Sequence, residues 1–167
     1  TSLFKVYRLI SVDDIIAFST LWNHSKKILV LVGELQPNSI EERWIEMLAN
    51  FPSVVVMTES TSNLHHPSFI NKIDTLIKAF LRNYKPRHHW HIDELRAYDT
   101  FGMLTKHFHV SPNQFFTQFL PYVKTIESDY KTKFATVTKH REAKHEEYLK
   151  SISFSDLKAF EIILGQL

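Results

Sequence analysis

The sequence predicts an α/β fold of three layers, with helices on both faces of a mostly parallel sheet. Three observations carry this. "KKILVLVGE" holds a continuous aliphatic run, Ile28 to Val32, that ends in Gly33, the pattern of a strand buried on both faces of a parallel sheet. "SVVVMTES" supplies a second such run, Val54 to Met57. Between them, "SIEERWIEMLANF" sets Ile40, Trp44, Met47 and Phe51 on one helical stripe, with Ser39 and Glu42 at capping-box spacing. Strand, helix and strand in this order make a βαβ unit.

The flanking elements follow from the same reasoning. "LFKVYRLI" alternates as an extended opening segment, and "SVDDIIAFSTLW" reads as a helix started by Ser11 and Asp14. After the second strand a polar loop, "TESTSNLHHPS", precedes "FINKIDTLIKAFLRNYKP", a helix stopped at Pro86. "HHWHID" reads as a strand with His89, His91 and Asp93 on one face and Trp90 and Ile92 on the other. "TKHFHV" is a further strand, and Ser111 with Pro112 opens a helix holding Phe115, Phe116, Phe119 and Leu120.

From Ile126 the texture changes. Ile126, Tyr130, Phe134, Val137, Tyr148 and Ile152 share one helix face amid dense mixed charge, giving a rod of roughly 40 Å at the α-helical rise. Such a rod is too long to be covered by a small sheet and is expected to run along a neighbouring domain or subunit. "SFSDLKAFEIILGQL" closes the chain as a helix capped by Ser155, with Leu157, Phe160, Ile163 and Leu164 apolar. The division expected is therefore 1–125 as the α/β domain, 126–152 as a helical connector and 153–167 as the start of a further domain.

Composition narrows the chemistry. The 167 residues carry a net charge of only +2 and 44% hydrophobic content, which suits a globular chain and makes no electrostatic case for nucleic acid or an anionic membrane. No apolar run is long enough to cross a bilayer and no signal peptide is legible, so an integral membrane segment is not expected and a cytoplasmic location is. The absence of cysteine removes disulfides, thiolate metal sites and cysteine nucleophiles. Only Gly33, Gly102 and Gly165 occur. Neither the dinucleotide fingerprint nor the phosphate loop can be written with them.

The candidate chemistry is sparse. His89 and His91, with Asp93 or the later His107 and His109, have spacings that could reach one metal ion, but two-residue histidine spacing alone is a weak signal and a strand with a polar face is the better reading. His140 and His145 lie five apart, about 140° around a helix, so the zinc-protease pattern is not met. Ser60 and Ser62 sit in a loop without a nucleophile elbow. Open α/β sheets bind ligands at the carboxyl ends of their strands, which makes the loops carrying Gly33, Glu59 and Asn63 the ligand-facing candidates. No catalytic, cofactor-binding or metal-binding residue is assigned.

"WNHSKKILVLVGELQPN", "LANFPSVVVMTESTSNLHHPSFINKIDTLI", "HHWHIDELRAYDTFGMLTKHFHVSPNQFF" and "FSDLKAFEIIL", in this order, resemble the middle region of the MenD family, the SEPHCHC synthases of menaquinone biosynthesis. The resemblance covers nearly the whole chain, and "HWHID", "DTF" and "FSDLKAFE" are its more specific parts. It implies a Rossmann-like central domain of a thiamine-diphosphate transferase, flanked by N- and C-terminal domains in a homo-oligomer, a dimer or tetramer. Thiamine diphosphate and Mg2+ would serve the whole enzyme, with none expected in this piece. Its role would be that of a scaffold, inactive alone. The family's activating glutamate and its glycine-rich metal–diphosphate motif have no counterpart here, and FAD is not expected. Near Leu76 to Lys78 two segments abut where the family carries a strand, a Gly-Gly turn and a basic loop, so a stretch of about two dozen residues is expected to be missing from the sequence, with a true deletion as the alternative. Two other readings stay open: a central domain of an acetohydroxyacid-synthase-like enzyme, and a regulatory domain that binds a small anion.

Overall fold

The computed structural model describes residues 8–71, 85–99 and 102–164. It divides into two compact units, Thr1–Tyr130 and Lys131–Leu167. The expected opening strand over residues 1–7 lies outside the described residues, as do residues 72–84 and with them the junction at Leu76 to Lys78.

The first unit contains α1 (Val12–Asn23), β1 (Ile28–Val32), α2 (Glu42–Asn50), β2 (Val54–Thr58), β3 (Trp90–Ile92), β4 (Lys106–Phe108) and α3 (Pro112–Phe119). β1 and β2 pair in parallel from Ile28 opposite Val54 to Val32 opposite Thr58. β3 and β4 pair in parallel from Trp90 opposite Lys106 to Ile92 opposite Phe108. The fold is thus α/β and Rossmann-like, with every described strand pair parallel, split between two two-stranded sheets.

Ser11 starts α1 as expected, its hydroxyl accepting the Asp14 N–H at 3.1 Å. Ser111 starts α3 with a complete capping box to Gln114 and Pro112 in the first turn. At α2 the expectation fails by two residues. The helix opens at Glu42 with Glu41 as its cap, and the main-chain N–H of Glu41 donates to the Asn113 side chain at 3.0 Å. Ser39 is instead tied into a turn through Gln36, next to Asn38 at a φ of 57°. A partner from α3 has taken the place of a local serine cap.

Burial also corrects the first strand. β2 is buried along its whole length, whereas β1 is only partly buried and Leu31 remains 42% exposed. β2 has β1 on one side and Ile70 bridged to Met57 on the other. Ile70 accepts the Thr58 N–H at 2.9 Å and donates to Val56 at 3.1 Å. These bonds hold Ile70 beside β2 and out of the helix expected to begin there, while the Phe69 N–H closes a turn onto the His66 carbonyl at 2.9 Å. The polar loop after β2 likewise contains a single 3-10 turn, Ser60–Ser62.

The core is aromatic where α1, α3 and the β3–β4 pair meet. Phe18 meets Trp90 edge-on at 5.0 Å and Phe108 at 5.1 Å, while Phe115 stacks on Phe119 at 4.8 Å. Edge-to-face pairs of this kind add to the stabilisation from burial alone. Phe119 and Leu120 are fully buried, and Trp90 and Ile92 turn toward this core as the strand alternation requires.

In the second unit, α4 (Tyr130–Ser151) starts four residues later than Ile126 and has no buried residue. At 22 residues it is about 33 Å long. α5 (Asp156–Leu164) follows, with the Ser155 hydroxyl accepting the Lys158 N–H at 3.4 Å and the Lys158 ammonium donating to the Ile152 carbonyl at 2.9 Å. Ile163, expected on an apolar stripe, is 59% exposed. The side chains of Leu157, Phe160 and Leu164 lie outside the described residues.

Candidate functional site

The loops that leave β1 and β2 are clasped to each other at the carboxyl ends of the strands. The Ser62 hydroxyl donates to the Val32 carbonyl at 2.6 Å and accepts the Glu59 N–H at 2.8 Å. The Asn63 amide donates to the carbonyls of Leu35 at 2.8 Å and Thr61 at 3.3 Å. The Leu35 N–H closes the clasp onto Thr61 at 3.2 Å. Asn63 can hold this position because asparagine tolerates the left-handed backbone, here at a φ of 47°.

The three candidate positions differ in what they do. Glu59 is exposed and caps the 3-10 turn, and Asn63 serves the clasp. Gly33 has open space where a Cβ would stand, so no close approach demands glycine there. Beside the clasp lies a crevice of about 210 Å3 lined by Asn38, Ser39, Glu42, Asn63 and His65 over an apolar floor of Leu35, Ile40 and Leu64. No lysine or arginine is among its lining residues, and its one carboxylate, Glu42, opposes an anionic ligand. Asn38 and His65 were not singled out from the sequence. The asparagine in "QPNS" was the available signal, since a second left-handed asparagine marks a turn facing the crevice.

Serine chemistry is excluded at Ser62, which is fully buried and has its oxygen engaged as donor and acceptor. Ser60 is exposed in the same turn. His140 and His145 are both exposed on α4.

The histidines of β3 and β4 share the face opposite the aromatic core. His91 stands beside His107 with ring centroids 5.4 Å apart, and His107 lies 3.7 Å from His109. The His107 Nε2 is 3.0 Å from the Asp93 carbonyl oxygen. A carbonyl can only accept, so Nε2 carries the proton of this bond. Burial lowers the His91 pKa below its ordinary value, with further lowering from His107 and His89 against the opposing charge of Asp93. Among the described residues no three His, Asp or Glu side chains are arranged to hold a metal ion. A second opening, about 400 Å3, is bordered by His91, Asp93, Leu95, Arg96 and Tyr98, with the Arg96 guanidinium over the Tyr98 ring at 4.5 Å.

Fold and crevice together define a Rossmann-like α/β domain without a glycine-rich phosphate cradle. Comparison with known proteins is more particular. The chain is 46% identical over 183 residues to the 2-succinyl-5-enolpyruvyl-6-hydroxy-3-cyclohexene-1-carboxylate (SEPHCHC) synthase of Flavobacterium psychrophilum, a match covering 93% of this chain and 33% of that enzyme. It is 44% identical to the synthase of the same name from Flavobacterium johnsoniae and 40% to that from Christiangramia forsetii, again over 90% or more of this chain and about a third of each relative. The resemblance to the MenD-type synthases is thereby shown, and the chain spans about a third of the length of these curated relatives. No family model matches the chain, and no solved structure matches it. Since 93% of 167 residues is about 155, against 183 matched positions, the relative's stretch is longer by roughly 28. Among the described residues no helix is long and apolar enough to cross a membrane.

Proposed function

We propose that this chain is the central, structural portion of a SEPHCHC synthase, a transferase that joins isochorismate to decarboxylated 2-oxoglutarate with thiamine diphosphate and Mg2+. In this reading residues 1–125 are the Rossmann-like spacer, 126–152 the connector and 153–167 the opening of the cofactor-binding C-terminal domain. The partners are the N- and C-terminal domains of the same enzyme in a homo-oligomer. The single observation that carries the reading is identity of 40–46% along at least nine-tenths of the chain with relatives of that name, each three times as long as the match.

The residues present do not fit the cofactor. A metal–diphosphate site needs clustered oxygen ligands and a backbone cradle, and the described residues hold neither a metal-binding cluster nor adjoining glycines. What the chain supplies is spacing: a clasped pair of loops at the strand ends and a 22-residue helix with no buried residue. The basic loop that contacts isochorismate in this family falls, in this reading, within the roughly 28 positions by which the relative is longer.

The test is a chimera. The matched stretch of the Flavobacterium psychrophilum synthase is replaced by this chain, retaining the relative's additional positions. Product formation is expected to persist. A chimera that folds, binds thiamine diphosphate and makes no product contradicts the reading.

A further inference from the structure

We propose that the imidazole face of His91, His107 and His109 is a proton-operated latch on the loop that leaves β3. Three features place it there. First, the rings are side by side in register, His91 opposite His107, with His109 centred 3.7 Å from His107. Two charged imidazoliums at that distance repel each other, although His109 is exposed and His107 only partly buried, so solvent screens part of the repulsion. Second, the pairing they sit on is short: three residues from each strand. Third, the loop is tied down at the histidines themselves. The His107 Nε2–H donates to the Asp93 carbonyl at 3.0 Å, the Asp93 N–H donates to Phe108 at 3.2 Å, and the Leu95 N–H donates to the Asp93 carboxylate at 2.7 Å.

The charges around the face do not neutralise it. Asp93 is the nearest acid, and one of its carboxylate oxygens is occupied by Leu95. His89, two residues before His91 on the same side, adds a further imidazole whose Nδ1 is buried without a hydrogen bond. Arg8, from the segment before α1, donates to the carbonyls of Glu94 and His109 at 3.2 and 3.4 Å, and Arg96 borders the opening next to His91. On the opposite face of the strands Lys106 is paired with Asp14. A proton arriving at His91 is therefore opposed by His107 and His89 and favoured by Asp93. With the rings neutral the latch is closed; charging two neighbours separates the ends of β3 and β4 and releases the loop carrying Asp93, Leu95, Arg96 and Tyr98, which border the 400 Å3 opening.

Amide hydrogen exchange of the full chain, corrected for intrinsic rates and followed from pH 7.5 to 5.5, tests this. Protection at Asp93 and Leu95 is expected to fall about tenfold through the imidazole range while the β1–β2 amides keep theirs. In His109→Gln, and in the double variant His107→Gln with His109→Gln, that local fall is expected to vanish. An unchanged fall in both variants, no fall in the parent chain, or an equal fall in β1–β2 overturns the latch. Because the readout is local exchange in this chain, it succeeds or fails independently of the synthase reading.

Discussion

Lys106 grips Asp14 from the far end of the fold: its ammonium donates to both carboxylate oxygens, at 2.8 and 2.9 Å, across 92 positions of sequence. This ties the first turn of α1 to β4, and both side chains are about 30% exposed. Asp14 titrates below its ordinary value of 3.8, chiefly because of the Lys106 hydrogen bond, with burial opposing. A lowered carboxyl pKa contributes stability above the ordinary value that is lost as pH falls through the folded one. Lys106→Met is expected to cost about 0.5–1 kcal/mol at neutral pH and to flatten the loss of stability below pH 3.8. Urea titrations at two pH values measure both.

The loop clasp depends on one hydroxyl. Ser62 is fully buried and bonds Val32 and Glu59 at 2.6 and 2.8 Å. Ser62→Ala leaves the part-buried Val32 carbonyl and the Glu59 N–H without these partners, at a cost of about 1 kcal/mol. The check is the denaturation midpoint, with Ser60→Ala, exposed in the same turn, expected to change it little.

Phe119 has no exposed surface and touches Trp22, Trp90 and Phe115. Phe119→Ala is expected to remove about 3–5 kcal/mol, a large share of the stability of a domain this size. Loss of the near-ultraviolet circular dichroism of Trp22 and Trp90 would report it.

Much of this architecture was legible because local signals and tertiary demands agree. The aliphatic runs at β1 and β2, the Ser11 and Ser111 caps, and the division of faces at His91 and Trp90 each follow from spacing alone. Where tertiary partners intervened, spacing misled. Asn113 displaced the Ser39 cap, and Ile70 joined β2 although its sequence suits a helix. The crevice was legible as a location, from the rule for strand ends, but not in its lining, because Asn38 and His65 reach it only through turn geometry.

The histidine face is expected to ignore zinc. One equivalent should leave Tm unchanged, since no three ligands converge among the described residues; a rise of several degrees would show that they do.

Length can be settled by mass. An intact mass of 19.7 kDa corresponds to the sequence as it stands and would make the roughly 28-position difference from the relative a true deletion. A mass about 3 kDa higher, at roughly 110 Da per residue of ordinary composition, would place the additional segment in the chain.

The most direct test is turnover by the chain alone, supplied with isochorismate, 2-oxoglutarate, thiamine diphosphate and Mg2+. No product and no cofactor-dependent rise in Tm are expected. Sustained product formation would contradict the assignment of this chain as a structural portion whose reactive groups lie elsewhere in the enzyme.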